Sequence, residues 1–432
     1  MRETRTEKKS STRGLNRLPS SKTASQKPDR KGVIRVRDEE GRVLVRKKIK
    51  HRIFTLGMGL DLPILILTCI LAAIGLVMLF SASYAYAFSN YGDSFLFIKR
   101  QGGFAFLGIA LMLLISTFDY HQFHKLAVPM YAAAVALLLI VLVCAALGLD
   151  EIAPNKNGAT RWINLGFIEF QPSEVGKFAM ITMLADYMSR KSDKILSSNT
   201  KGVFPCFCIF AAIAVLVVAE KHLSATIIIT LLAFIIMYIG GIKLRWFVGI
   251  GVLAVIGVTC LILFTDMFSH ALVRIQGWID PFNPPEGVDT WQTRQGLYAI
   301  GSGGLLGVGL GQSKQKYLYL PEPQNDFIFA IVCEELGFIG AIIIILLFAM
   351  LIWRGVYISI NAKDKFGTLL GLGITFTVGI QTVLNICVVT NAIPNTGISL
   401  PFFSYGGTSL VMLLCEMGVL LSISRHSYVE KT

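Results

Sequence analysis

The chain has 432 residues, 54% of them apolar and 16% charged, with a mean hydropathy of +0.63. A soluble domain carries nearer a quarter of charged residues, so an ordinary soluble fold is excluded and an all-α, polytopic membrane protein is implied. The net charge of +13 is concentrated in Met1 to Arg52, which holds 18 basic against 6 acidic residues. No aromatic or nucleic-acid motif accompanies that basicity, so a membrane surface is its expected partner and nucleic acid is not.

In chain order, residues 1–58 read as a disordered, basic cytoplasmic arm, because so polar a segment cannot bury enough apolar surface to offset its ordering entropy. Its end, Arg46-Lys47-Lys48-Ile49-Lys50-His51-Arg52, abuts the first apolar segment and favours the cytoplasmic side. The arm is too long and polar for a secretory leader, and further spans follow, so the first segment reads as a retained anchor. A span needs about 20 apolar residues. Segments near Leu62–Ser83, Gln101–Phe118, Leu126–Leu147, Ser173–Met188, Val203–Val218, Ser224–Gly240, Trp246–Thr265, Phe327–Trp353, Thr368–Val389 and Ser409–Ser424 meet or approach it, giving about ten spans within residues 59–425.

An even count places both termini on one side. The short loops carry Lys125, then Arg190, Lys191, Lys194 and Lys201, then Lys243 and Arg245, then Arg354, Lys363 and Lys365. By the positive-inside rule these face the cytoplasm, with the tail 426–432. The longer loops of mixed sign, 149–172, 266–326 and 391–408, are expected outside. All eight cysteines fall in apolar runs and read as packing residues rather than disulfides or zinc ligands. No internal repeat is evident, which weighs modestly against transporters built from paired repeats.

Ionisable groups inside spans mark functional interiors. Glu174 and Lys177 share a helix face and can pair. Glu220-Lys221-His222 lies at a tight turn, where its side chains are expected to reach the interface. Glu334 and Glu335, adjacent in sequence, cannot both face one cavity, and Glu416 is expected to be a hydrogen-bonded packing group.

The first outer loop interleaves aromatic with polar residues: Arg161-Trp162-Ile163-Asn164 and then Glu169-Phe170-Gln171-Pro172-Ser173-Glu174. That pattern suits an interfacial helix followed by a span starting at Pro172, and places Arg161 and Lys177 where a lipid phosphate would lie. The second outer loop carries Arg274, Gln292, Arg294, Gln295, Ser302, a glycine run from Gly301 to Gly311, Lys316 and Glu322, and closes at Asp326. The glycine run lacks the Gly-Lys-Ser/Thr ending of a nucleotide loop, so its glycines are expected to let the backbone turn tightly against a helix or ligand.

Arg161-Trp162-Ile163, Gln171-Pro172-Ser173-Glu174, Ala299–Gly304, Leu320-Pro321-Glu322, Asp326-Phe327-Ile328-Phe329, Glu334-Glu335-Leu336-Gly337 and Leu400-Pro401-Phe402-Phe403-Ser404-Tyr405-Gly406-Gly407 occur in one register. Together they resemble the SEDS family (FtsW, RodA and SpoVE) from about Leu62 to Ser424, in detail most like the FtsW/SpoVE branch of Gram-positive bacteria. The resemblance implies a peptidoglycan glycosyltransferase that polymerises lipid II at the outer face of the bacterial cytoplasmic membrane, with a class B penicillin-binding protein and other division or sporulation proteins. Asp326 matches the family's essential outer-loop Asp, and Lys177 and Glu335 match two further motif positions. The chain departs from relatives at Glu220-Lys221-His222, often Gln-Pro-Asp, and at Leu318, often charged. Glu169, basic in some relatives, weakens any phosphate role there.

The chemistry suits these residues. A sugar hydroxyl attacking an anomeric carbon that bears a lipid diphosphate needs one general base, for which Asp326 is positioned. Arg161, Lys177, Arg294 and Lys316, or a divalent cation such as Mg or Mn, can stabilise the leaving diphosphate. Trp162, Gln171, Glu174, Gln292, Gln295, Ser302, Glu322, Glu335, Ser404 and Tyr405 complete the expected substrate contacts. No clear second outer carboxylate partners Asp326 as a glycosidase would require. Asp326 also suits an N-cap of the eighth span. A lipid II flippase, with Glu174, Lys177, Glu334 and Glu335 lining a path, and a non-catalytic scaffold remain as alternatives.

Overall fold

The computed structural model describes residues 33–37, 43–47, 59–156, 159–164, 166, 169–191, 202–249, 251 and 275–427. The rest of the expected arm, the tail beyond 427, most of the seventh expected span, Cys260, Lys194, Lys201 and Arg274 lie outside these residues. The chain divides into residues 1–52 and 53–432. In the first unit, β1 (Val33–Arg37) pairs antiparallel with β2 (Val43–Lys47), Val33 opposite Lys47.

The second unit is helical: α1 (Leu62–Tyr91), α2 (Leu96–Thr117), α3 (Gln122–Leu147), α4 (Pro172–Ser189), α5 (Val203–Ala219), α6 (Leu223–Ile239), α7 (Trp291–Gly303), α8 (Ile328–Ile360), α9 (Lys365–Val389) and α10 (Gly407–His426). Among the described residues, α1, α2, α3, α8, α9 and α10 are long and apolar enough to cross a membrane, while α5 and α6 are apolar but shorter. Helix α4 falls short because Glu174, Lys177 and Asp186 interrupt its 18 residues. This is a multi-pass membrane protein whose helices α2 and α10, α8 and α9, α3 and α4, and α1 and α8 pack as neighbours.

Local chemistry sets the helix ends. Asp61 caps α1 by accepting the Ile64 amide at 3.2 Å and also receives the Arg354 guanidinium at 2.8 Å, so one carboxylate ties the start of α1 to the far end of α8. Helix α4 starts at Pro172 as expected, with Glu174 in its first turn. The stretch before it is not the expected interfacial helix. Ile163–Asn164 (β5) pairs antiparallel with Glu169–Phe170 (β6), and Asn155–Lys156 (β3) with Ala159–Thr160 (β4). Gly166 adopts φ 87° and donates its amide to Asn164 Oδ1 at 2.9 Å, a turn that reverses the chain where a helix would continue.

Helix α8 contains a break at Gly337 (φ 67°, ψ −171°). A Cβ on Gly337 would meet the backbone of Leu305 to Gly307, so the glycine run approaches this helix as its composition suggested. The described cysteines are all free, and Cys208 is exposed.

Candidate functional site

A cavity of about 900 Å³ opens between the first turns of α2, α4, α6 and α10, the first outer loop, and the segments 322–326 and 397–409. It brings together Arg161, Trp162, Gln171, Glu174, Lys177, Glu322, Asp326 and Tyr405 of the expected site residues. Arg100, Tyr86, Tyr91, His222, Gln324, Asn325, Gln381 and Ser399 line it as well. The sequence does not single these out as site residues: Arg100 follows Lys99 at the entrance of an apolar span, and His222 lies in a tight turn.

Asp326 ends the loop that enters α8. The helix begins one residue later than a cap at Asp326 requires: its cap position is Phe327, which makes no side-chain capping bond. The Asp326 carboxylate is therefore not committed as that helix's N-cap. Its main chain is anchored by Asn385 on α9, whose Nδ2 donates to the carbonyls of Asp326 and Ile398, each at 2.7 Å. Gln292 Nε2 reaches Asp326 Oδ1 at 3.5 Å and Pro321 O at 3.4 Å, and Asn395 Nδ2 donates to Gln292 Oε1 at 3.2 Å. Gln292 thus orients the carboxylate from behind the cavity wall. Burial pushes the Asp326 carboxyl up to about 6, nearby Glu322 adds to the rise, and its hydrogen bonds oppose it.

Cations line the same cavity. Lys177 is buried and pairs with Glu174 at 2.8 Å, as their spacing predicted. Arg161 donates Nη2 to the Lys221 carbonyl at 2.7 Å, which fixes the guanidinium beside the α5–α6 turn. The turn is not the outward-reaching one expected, because Glu220 and His222 are buried and only Lys221 is exposed. Burial, with Arg161 and Lys177 adding to it, holds His222 down to about 3, so it is neutral at physiological pH. Burial raises the Glu220 carboxyl to about 8 despite Arg161.

The remaining expected residues lie off the cavity. Lys316 Nζ pairs with Glu335 Oε1 at 2.9 Å and donates to Ser81 Oγ at 3.1 Å, while Ser81 Oγ donates to Glu335 at 2.7 Å. Glu334 accepts from Ser313 Oγ at 2.5 Å and from the Lys314 amide at 2.9 Å. Both carboxylates of the Glu334-Glu335 pair grip the loop 313–316, and neither lines the cavity, which removes them from a headgroup path of the flippase kind. Arg294 stacks over Trp291 at 5.7 Å, Gln295 is buried, and Ser302 Oγ donates to the Ala299 carbonyl at 3.0 Å.

Ser404 Oγ accepts the Leu400 amide at 2.7 Å and shapes the turn that carries Tyr405, whose ring meets Phe97 edge-on at 4.7 Å. Ser404 also lines a chamber of about 20 Å³, room for about one water, shared with Glu174, Gln381 and Glu416. Glu416 is buried, and its Oε2 has no protein hydrogen-bond partner beside this chamber. Among the described residues no group of three or more His, Cys, Asp or Glu side chains is placed to hold a metal ion.

The model of the FtsW/RodA/SpoVE cell cycle proteins matches residues 62–429. The chain belongs to the FtsW/RodA/SpoVE family. Within that family it is similar to stage V sporulation protein E of Bacillus subtilis strain 168, 40% identical over 367 residues, 85% of this chain and 97% of that protein. It is similar too to a probable peptidoglycan glycosyltransferase FtsW of Geobacter sp. strain M18, 37% identical over 366 residues, with 85% and 97% covered. Two solved structures share the fold. A chain of a peptidoglycan synthase complex that coordinates polymerization and crosslinking superposes with a TM-score of 0.71 at 24% identity, covering 87% of this chain and all of that one. Thermus thermophilus rod shape determining protein RodA superposes at 0.62 with 23% identity and the same coverage.

Proposed function

We propose that this chain is a peptidoglycan glycosyltransferase that polymerises lipid II at the outer face of the cytoplasmic membrane, with Asp326 as the general base. The observation that carries the reading is the Asp326 carboxylate on the wall of a large polar cavity that Arg161 and Lys177 also line, in a chain whose relatives include probable peptidoglycan glycosyltransferases. The acceptor sugar hydroxyl loses its proton to Asp326 as its oxygen bonds to the donor's anomeric carbon. The bond from that carbon to the lipid diphosphate breaks, and the diphosphate leaves with the electron pair toward the cations. A carboxyl raised to about 6 is ionised at neutral pH and still basic enough to hold the proton.

The aromatic side chains Trp162, Tyr86, Tyr91 and Tyr405 offer apolar faces to sugar rings, and Gln171, Gln324, Asn325 and Gln381 offer hydrogen bonds. Arg100 adds a third cation on the same cavity. The topology assigned with this reading has both termini in the cytoplasm, residues 1–58 as the basic arm, and a class B penicillin-binding protein as partner in division or sporulation.

Purified chain with its partner, supplied with labelled lipid II, tests the assignment. Asp326→Asn keeps size and hydrogen-bonding ability but removes the base, and is expected to lower polymerisation by about 100-fold or more with an unchanged melting temperature. Normal glycan chains from Asp326→Asn would sink the catalytic role.

A further inference from the structure

The chamber of about 20 Å³ lies between α4, α9 and α10. It shares Glu174, Gln381, Ser399 and Ser409 with the large cavity, so these side chains form the partition between the two. Glu174 is the ionisable one among them. Lys177, which Glu174 holds at 2.8 Å, lines the cavity but not the chamber, and Glu416 lines the chamber but not the cavity. Lys177 attracts Glu416 and Glu174 repels it. Two acidic groups and one basic group thus form a single cluster across the partition.

One ammonium balances one carboxylate. A second carboxylate buried beside that pair would stand uncompensated, a cost that a neutral carboxyl avoids. A neutral carboxyl also gains an O–H donor that the ionised form lacks. The chamber lining complements a donor: the hydroxyls of Thr377 and Ser409 already donate to the carbonyls of Gly373 and Gly406, each at 3.0 Å, and so present lone pairs to it. Glu416 Oε2 has no protein partner, and the chamber has the size and polarity to hold one water beside it.

We propose that Glu416 is a positioning residue for Lys177. Its neutral carboxyl donates to a water in the chamber, and that water donates to Glu174. When the Lys177 ammonium turns from Glu174 to the diphosphate of the substrate, Glu174 keeps a hydrogen-bond partner instead of being left as an unpaired carboxylate. The inference rests on the reading of Lys177 as a cation for the leaving diphosphate and is independent of which group acts as base.

The full chain in nanodiscs, titrated with undecaprenyl diphosphate and assayed with its partner on labelled lipid II, provides the test. Glu416→Leu, with Glu416→Met as a second apolar variant should the first fail to fold, removes the donor. It is expected to weaken undecaprenyl diphosphate binding about tenfold, the scale of one hydrogen bond to a charged group, and to raise KM with kcat unchanged. Glu416→Gln keeps a donor without a charge and should bind within about twofold of the parent. Equal losses in Glu416→Gln and Glu416→Leu would mean that an ionised Glu416 is required and would overturn the proposal, as would unchanged binding in Glu416→Leu. Infrared difference spectra of the parent against Glu416→Gln should show the carbonyl band of a protonated carboxylic acid, and a carboxylate band in its place would overturn it too. Lys177→Gln tests the underlying reading separately: it should lose about tenfold or more in undecaprenyl diphosphate affinity, and unchanged binding there would remove Lys177 itself from the diphosphate site.

Discussion

Asp326 carries a pH prediction of its own. With its carboxyl raised to about 6, the ionised form needed for catalysis is lost as pH falls through that value, so polymerisation should drop about tenfold per pH unit below it. A rate–pH profile with its acid limb near the ordinary carboxylate range, about 4, would count against Asp326 as the titrating base. Glu220 gives a second case with the sign worked through stability. Its folded value of about 8 lies above its ordinary 4.5, so the fold favours its neutral form; the stabilisation is fully present below about 4.5 and lost as pH rises through about 8. Glu220→Gln stays neutral at every pH. Its melting temperature should therefore gain on the parent's between pH 5 and 9, and parallel curves would refute the buried neutral carboxyl. Of the residues singled out in the sequence, those flanking spans in the first outer loop reach the cavity, because a loop next to a span has little choice of level. Lys316 and Glu335 looked the same as these in sequence. Only the fold reveals that each satisfies the other, since the partners of a buried ion pair are chosen by tertiary packing.

At the scale of elements, the loop 313–316 is held by the two carboxylates at the top of α8. Removing one partner of a buried pair leaves an uncompensated charge, which costs on the order of 3–5 kcal/mol. Lys316→Ala should accordingly lower the melting temperature markedly, and Lys316→Met combined with Glu335→Leu should recover much of that loss; calorimetry or thermal scanning of the two variants checks both. Helix positions were legible from the length of apolar runs, which the membrane imposes. The short strands β3 to β6 were not, since two-residue ladders leave almost no periodicity and Gly166 was the one local sign of a reversal. The break in α8 was equally hidden, because a glycine in an apolar run reads as helix until another segment is seen bonding to its freed backbone groups.

For the molecule as a whole, the all-α membrane architecture was legible in composition, whereas the cavity was only half so. Residues such as Arg100, His222 and Gln381 belong to separate elements, two helices and a turn, and their convergence is a property of packing. The Asp61–Arg354 contact works at this scale too. It joins the first and eighth expected spans at the end opposite the cavity, with α1 capped by the same carboxylate. Asp61→Ala removes a cap and an ion pair together and should destabilise the bundle by about 1–3 kcal/mol, read as a lower melting temperature with substrate affinity unchanged. The break at Gly337 has a further consequence for motion. A break whose freed amides and carbonyls are already bonded to a neighbouring strand of backbone is not a hinge. The segment from Ile328 to Leu336, with Asp326 at its head, is clamped to the glycine run on one side and to Lys316 on the other. A displacement of this segment would therefore have to break those bonds or carry the glycine run and Lys316 with it.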